Sequence, residues 1–174
     1  AAAALGISAP DHQPSPSEWD ALRSHATGVV ELTGRLDAAE VATRELARGY
    51  VPSLSLLLGP LGAAKLVVLA GGRERLARMP SGSLQVLGAS GAMAAHRRGA
   101  PPPKHSPVLF SLPQVSKSPR WVRGKIARFI AGKCSIAVRV DHFAGEPWDE
   151  EQIAEINRKV DAIKARFPKP PKRG

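Results

Sequence analysis

Residues 120–143 read RWVRGKIARFIAGKCSIAVRVDHF, and the spacing of two kinds of residue in this stretch decides the fold. Val122, Ile126, Phe129, Ile130, Ala137 and Val140 recur at helical intervals, which predicts one long helix from Arg120 to Phe143 with these side chains buried. On another face Lys125, Arg128, Gly132, Ser135 and Arg139 follow one another in steps of three and four, so cations alternate with small residues along one stripe. The small residues would let a phosphate backbone come close. Lys125, Arg128 and Arg139 would then reach its oxygens as point charges or bidentate forks. Arg120 and Arg123 add charge at the same end. A solvated polar face is the competing reading, but such faces usually mix signs, and none of these cations has an acidic residue four positions later.

Downstream, Ile153, Ile156, Val160, Ile163 and Phe167 repeat at three and four, predicting a last helix from about Trp148 to Arg166. Asp149, Glu150 and Glu151 at its start and Lys164 and Arg166 at its end complement the helix dipole. Upstream, Pro101–Pro103, Pro107, Pro113 and Pro119 are expected to keep residues 99–119 extended, and a loop of that length in a small domain usually carries function or is disordered. Before it, Gly88–Arg98 reads as a short helix with Ala89, Ala92, Met93 and His96 on one face, ending in Arg97-Arg98-Gly99.

Pro52–Leu87 reads as two or three short buried helices broken at Gly59-Pro60, Gly71-Gly72 and Met79-Pro80. Its apolar stretch from Pro52 to Gly72 is interrupted by Pro52, Gly59, Pro60 and Lys65, so core and not membrane is expected. Ser15, Pro16 and Glu18 occupy N-cap, first-turn and N3 positions and start the first helix, which should end at Gly49. Leu22, Val29, Leu36, Thr43 and Tyr50 repeat every seven residues along it, with His25, Leu32, Ala39 and Leu46 three positions later. That is either a coiled-coil seam or an ordinary amphipathic face, since Gly28, Gly34 and Thr43 weaken a coiled coil. An antiparallel partner preceding residue 1 would leave Ala1–Leu5 as its last turn.

The expected architecture is therefore all-α: a coiled-coil arm over 1–50, half of a hairpin; a helical domain over 51–167; and a basic tail over 168–174. Composition agrees, with 43% hydrophobic and only 5% aromatic residues in 174. The net charge of +10 is concentrated. Residues 73–140 hold thirteen Lys/Arg against Glu74 alone, whereas 1–72 carry a slight negative excess and 141–174 balance. Such a field attracts polyanions, with RNA or DNA the commonest.

The lone Cys134 excludes an internal disulfide and a thiolate-cluster metal site, fits a reducing intracellular compartment, and sits among buried positions as a small core residue. His12, His25, His96, His105 and His142 form no ligand pair or acid/base group, and Gly71-Gly72 and Gly88–Gly91 match no phosphate-binding fingerprint. No catalytic residue, metal or cofactor is assigned.

Two stretches resemble the Nop-domain family. Met79-Pro80-Ser81-Gly82-Ser83-Leu84-Gln85-Val86-Leu87-Gly88-Ala89 is similar to its proline-led helix ending in Leu-Gly-Ala. Arg123-Gly124-Lys125-Ile126-Ala127-Arg128, through Ala131-Gly132-Lys133-Cys134 to Arg139-Val140-Asp141, resembles its Gly-Lys-Ile-Ala-Arg to Ala-Arg-Val-Asp segment. Residues 61–65, Ala70-Gly71 and Pro103-Lys104 fall in the family's order, and the likeness covers roughly 17–167.

The family includes core subunits of box C/D RNA methylation particles and a factor of U4-type splicing particles. The resemblance implies a non-catalytic helical assembly factor that recognises a kink-turn RNA together with its bound small ribosomal-type protein. It implies residence in the cytoplasm of an archaeon, or in the nucleus or nucleolus. In methylation particles a separate N-terminal domain recruits fibrillarin; 174 residues leave no room for it, which makes fibrillarin a doubtful partner. Lys104, Arg123, Lys125 and Arg128 match basic positions of the family, and Lys133 and Arg139 lie in the same segment. Arg97, Arg98 and Arg120 join the RNA-binding set on charge alone. Gly91 stands where box C/D members carry lysine, and Phe110-Ser111 replaces an aromatic-His pair, so the histidine that touches RNA in the splicing factor is missing. The alternative function is a protein-interaction scaffold that has lost RNA binding.

Overall fold

The computed structural model describes residues 14–171, among which there are ten helices and no strand. The Ala1–Leu5 turn and the end of the basic tail lie outside the described residues. The chain divides into two compact units, Ala1–Val41 and Ala42–Gly174.

The first unit is most of helix α1 (Pro16–Tyr50). Its start is the expected capping box: the Ser15 amide donates to Glu18 Oε2 at 2.7 Å, and the Glu18 amide to Ser15 Oγ at 3.4 Å. Leu22, Val29, Leu32, Leu36 and Leu46 of the heptad pattern are 54–73% exposed, so this seam is not an ordinary core-facing stripe.

The last turns of α1 belong to the second unit. Ala47 is buried, its carbonyl accepts the Ser55 hydroxyl, and the carbonyl of Tyr50 accepts Arg73 Nη1 at 2.8 Å, with the guanidinium 4.4 Å over the Tyr50 ring. Beyond it come α2 (Pro52–Leu58), α3 (Pro60–Ala70), α4 (Arg73–Arg78) and α5 (Ser81–Gln85). The breaks fall at the expected Gly and Pro positions, giving four helices where two or three were expected. A bend of 116° separates α2 from α3, and no single helix among the described residues is long and apolar enough to cross a membrane.

After α6 (Ser90–Arg97), residues 99–119 depart from the extended loop expected of them. They fold into two helical turns, α7 (Pro107–Phe110) and α8 (Pro113–Ser116), each with proline at its first position. Proline's fixed φ suits that position and its missing N–H has no helical partner there, so the same residues that argue against long helices start short ones. Ser106 completes α7 by accepting the Leu109 amide.

Helix α9 (Arg120–His142) is the hub, packed against α2, α4, α5, α7, α8 and α10 (Glu150–Arg166). Val122, Ile126, Ala127, Ile130, Ala131, Cys134, Ser135, Ala137 and Val138 are all buried on it, a band wider than one stripe. Small residues in that band let neighbours approach closely, while Leu54, Leu66, Leu76, Leu84, Leu109 and Ile126 fill the space between them. Each such side chain contributes roughly 1.5–3 kcal/mol by leaving water. The C-terminal end of the hub is tied by polar contacts. Asp141 accepts the Ser53 and Leu54 amides at 2.9 and 3.0 Å and so caps α2, while Arg139 Nε donates to the Ala77 carbonyl at 2.9 Å and caps α4.

Candidate nucleic-acid interface

The N-terminal half of α9 borders a groove of about 830 Å³, walled by α5 and the Pro102–Lys104 segment of the loop. Lys104, Lys125 and Arg128 line it. Its lining includes two glycines: a Cβ on Gly82 would meet nothing within 4 Å, and one on Gly124 would lie 3.4 Å from the Lys104 Cβ. Gly124 therefore lets the loop lie directly on α9. The loop is held from the other side by Gln85, whose side-chain amide donates to the Lys104 carbonyl at 2.6 Å. The proline-led helix and the cationic helix, separate in the sequence, thus meet through Lys104.

A second, adjoining recess of about 410 Å³ is lined by Lys104, Arg120 and Arg123 together with His105 and Phe110. Here His105 stacks on Phe110 (centroids 4.8 Å apart, planes 14° apart), and the Arg123 guanidinium stands 5.5 Å from the same ring. An imidazole thus lies against Phe110 although Ser111 follows that residue in the chain, a juxtaposition that only folding of the loop reveals.

Among the described residues, Lys104, Arg120, Lys125 and Arg128 make no salt bridge to a carboxylate, and all four are exposed. Clustered cations without internal counter-charge raise the local potential and concentrate anions. The remaining expected residues sit differently. Arg123 is half-buried and donates to the Ser118 and Ser116 carbonyls, both at 2.8 Å, capping the end of α8. Arg139 spends one donor on Ala77, and Ser135, expected on the open stripe, is 4% exposed because α4 and α2 close over the C-terminal half of α9. The stripe is consequently interrupted at Ser135, and Arg139 beyond it is exposed but turned onto α4.

Lys133 lies over Phe129, and its charge helps hold the Glu155 carboxyl below its ordinary value, after the larger effects of Lys159. Arg97 and Arg98 are exposed at the end of α6 and line neither recess. Cys134 is fully buried, and burial pushes its thiol far above the ordinary value, the opposite of an activated nucleophile. No group of three or more metal-ligating side chains occurs among the described residues.

An all-helical module with an uncompensated cationic groove is the class of protein defined so far. The chain belongs to the Nop family, whose profile, described as "snoRNA binding domain, fibrillarin", matches residues 3–162. An uncharacterized NOP5 family protein of Methanocaldococcus jannaschii is 44% identical over 120 residues, 68% of this chain and 28% of that protein. Nucleolar protein 56 of Mus musculus is 33% identical over 128 residues, 72% of this chain and 22% of that protein. The chain thus spans less than a third of the length of these relatives. Among solved structures, a chain of a fibrillarin/Nop5p complex matches with a TM-score of 0.69 and 30% identity, covering 87% of this chain and 56% of that one. That neighbour comes from a fibrillarin complex, so the expectation against fibrillarin finds no support and is withdrawn.

Proposed function

We propose that the chain is a non-catalytic ribonucleoprotein assembly module that grips a kink-turn RNA stem beside the small ribosomal-type protein bound to it, as in box C/D RNA-guided methylation particles. The observation that carries this reading is the convergence of Lys104, Lys125 and Arg128 on one open groove, with Gly82 among its lining residues and no carboxylate there. Such a groove suits a sugar–phosphate backbone: Gly82 leaves room for close approach and the cations meet phosphate oxygens without reading sequence. Arg120 extends the contact through the adjoining recess, and Arg97, Arg98 and Lys133 add longer-range attraction. Arg123 and Arg139 act chiefly by fixing α8 and α4, each keeping guanidinium donors beyond those already bonded.

Fibrillarin belongs to the assembly in which the chain acts, on the strength of the neighbour's complex, and the exposed seam of α1 suits a helical partner. A eukaryotic host would place the chain in the nucleolus and an archaeal one in the cytoplasm. The scaffold-only alternative leaves the cationic groove without a use. Lys125→Ala with Arg128→Ala tests the reading. RNA affinity should fall, and its dependence on log[salt] should flatten by roughly one unit for each phosphate no longer engaged. An unchanged slope would place the RNA elsewhere on the molecule.

A further inference from the structure

Helix α10 ends against the rim of the groove. The indole N–H of Trp121, itself a groove-lining residue, donates to the Phe167 carbonyl at 2.9 Å. The Phe167 ring carries two cations: Lys125 Nζ lies 4.3 Å from its centroid and the Arg166 guanidinium 5.8 Å. The negative face of an aromatic ring attracts each of them, and their distances place the two charges at most about 10 Å apart, comparable with the Debye length at physiological salt. Two positive charges gathered there repel each other and are stabilised by an anion between or beside them.

Of the cations at this end, Lys164 is already engaged by Asp161 at 2.9 Å, whereas Arg166 and Lys169 are exposed and, among the described residues, make no ion pair with a carboxylate. A helix C-terminus ordinarily disfavours anions through its carbonyls. Here the Phe167 carbonyl is occupied by the indole and the Lys164 carbonyl accepts the Phe167 amide, which removes part of that opposition.

We propose that Arg166 and Lys169 form a second phosphate-contact site that continues the groove's cationic track along the same RNA, and that Phe167 is the positioning residue that holds this end of the chain beside Lys125. The proposal rests on the RNA reading above and lengthens the track beyond the helix that the charge pattern singled out.

The test uses the full chain with a labelled kink-turn RNA already carrying its small protein, titrated over a series of KCl concentrations. Arg166→Ala with Lys169→Ala changes only exposed side chains, so the fold stands. The expected result is weaker binding and a salt slope flatter by up to about two units, on top of the loss from Lys125→Ala with Arg128→Ala. Phe167→Leu, which keeps bulk and removes the ring, should reproduce part of the loss. If the Arg166/Lys169 variant matches the wild type in affinity and slope while the Lys125/Arg128 variant is weakened, the second site is overturned and the groove stands. If neither variant differs from the wild type, the RNA reading falls and takes this site with it. A flattened slope in the Arg166/Lys169 variant with Phe167→Leu unchanged overturns the positioning role.

Discussion

Gly124 on α9 and Lys104 in the proline-rich loop touch so closely that a β-carbon on the glycine would sit 3.4 Å from that of the lysine. This approach sets how far the loop stands off the helix, and with it the width of the groove. Alanine fits at ordinary van der Waals distance, and in a helix interior it is favoured over glycine by up to about 1 kcal/mol. Valine adds methyl groups with no such space. We therefore expect Gly124→Ala to bind RNA normally and to unfold at slightly higher denaturant, and Gly124→Val to lose roughly tenfold in RNA affinity, about 1.4 kcal/mol, while staying folded. Equal binding by both variants would show that the loop's seat on α9 does not shape the site.

Asp141 fixes the first turn of the core. Its two carboxylate oxygens receive the first free amides of α2, next to Pro52, which has none to give. Asp141→Ala is expected to lower stability by about 1–2 kcal/mol, read as a lower urea midpoint at unchanged m-value. RNA binding by the remaining folded protein should be preserved, because this side chain lies at the end of α9 away from the groove-lining residues.

Much of the fold is legible in the sequence because it depends on local signals. Helix breaks at Gly59-Pro60, Gly71-Gly72 and Met79-Pro80, the capping box at Ser15 and Glu18, and the hub over Arg120–His142 all follow from spacing and punctuation. The helical turns in the proline-rich segment do not, since a proline at a first helical position and a proline in an extended loop look alike until packing chooses between them. The site is legible to the extent that charge is. Lys104, Lys125 and Arg128 do converge, yet nothing in a helical stripe distinguishes Lys125, facing an open groove, from Arg139, bent onto the carbonyl of Ala77. The approach of Phe167 to Trp121 joins residues 46 positions apart, and no periodicity encodes it.

Gly88 has φ +81°, and a β-carbon there would fall 2.9 Å from Leu69 Cδ1. Gly88→Ala should therefore destabilise by about 1–2 kcal/mol from the left-handed backbone alone, with an added cost if Leu69 cannot swing aside. Thermal unfolding of the variant checks this, and an unshifted midpoint would mean that the turn relaxes freely.

The leucines of α1 should behave as partner contacts and not as core. Leu32→Asp with Leu36→Asp is expected to leave stability within about 0.5 kcal/mol of wild type, since both side chains are more than half exposed, and to abolish any self-association or helical-partner binding seen by sedimentation.

Composite recognition is tested most directly by titrating a labelled kink-turn RNA with the chain, once alone and once already carrying its small ribosomal-type protein, beside a plain duplex of equal length. The expected result is markedly tighter binding to the preformed complex than to either bare RNA, with a steep salt dependence throughout. Equal affinity for all three would contradict the account, leaving a cationic surface without a specific partner.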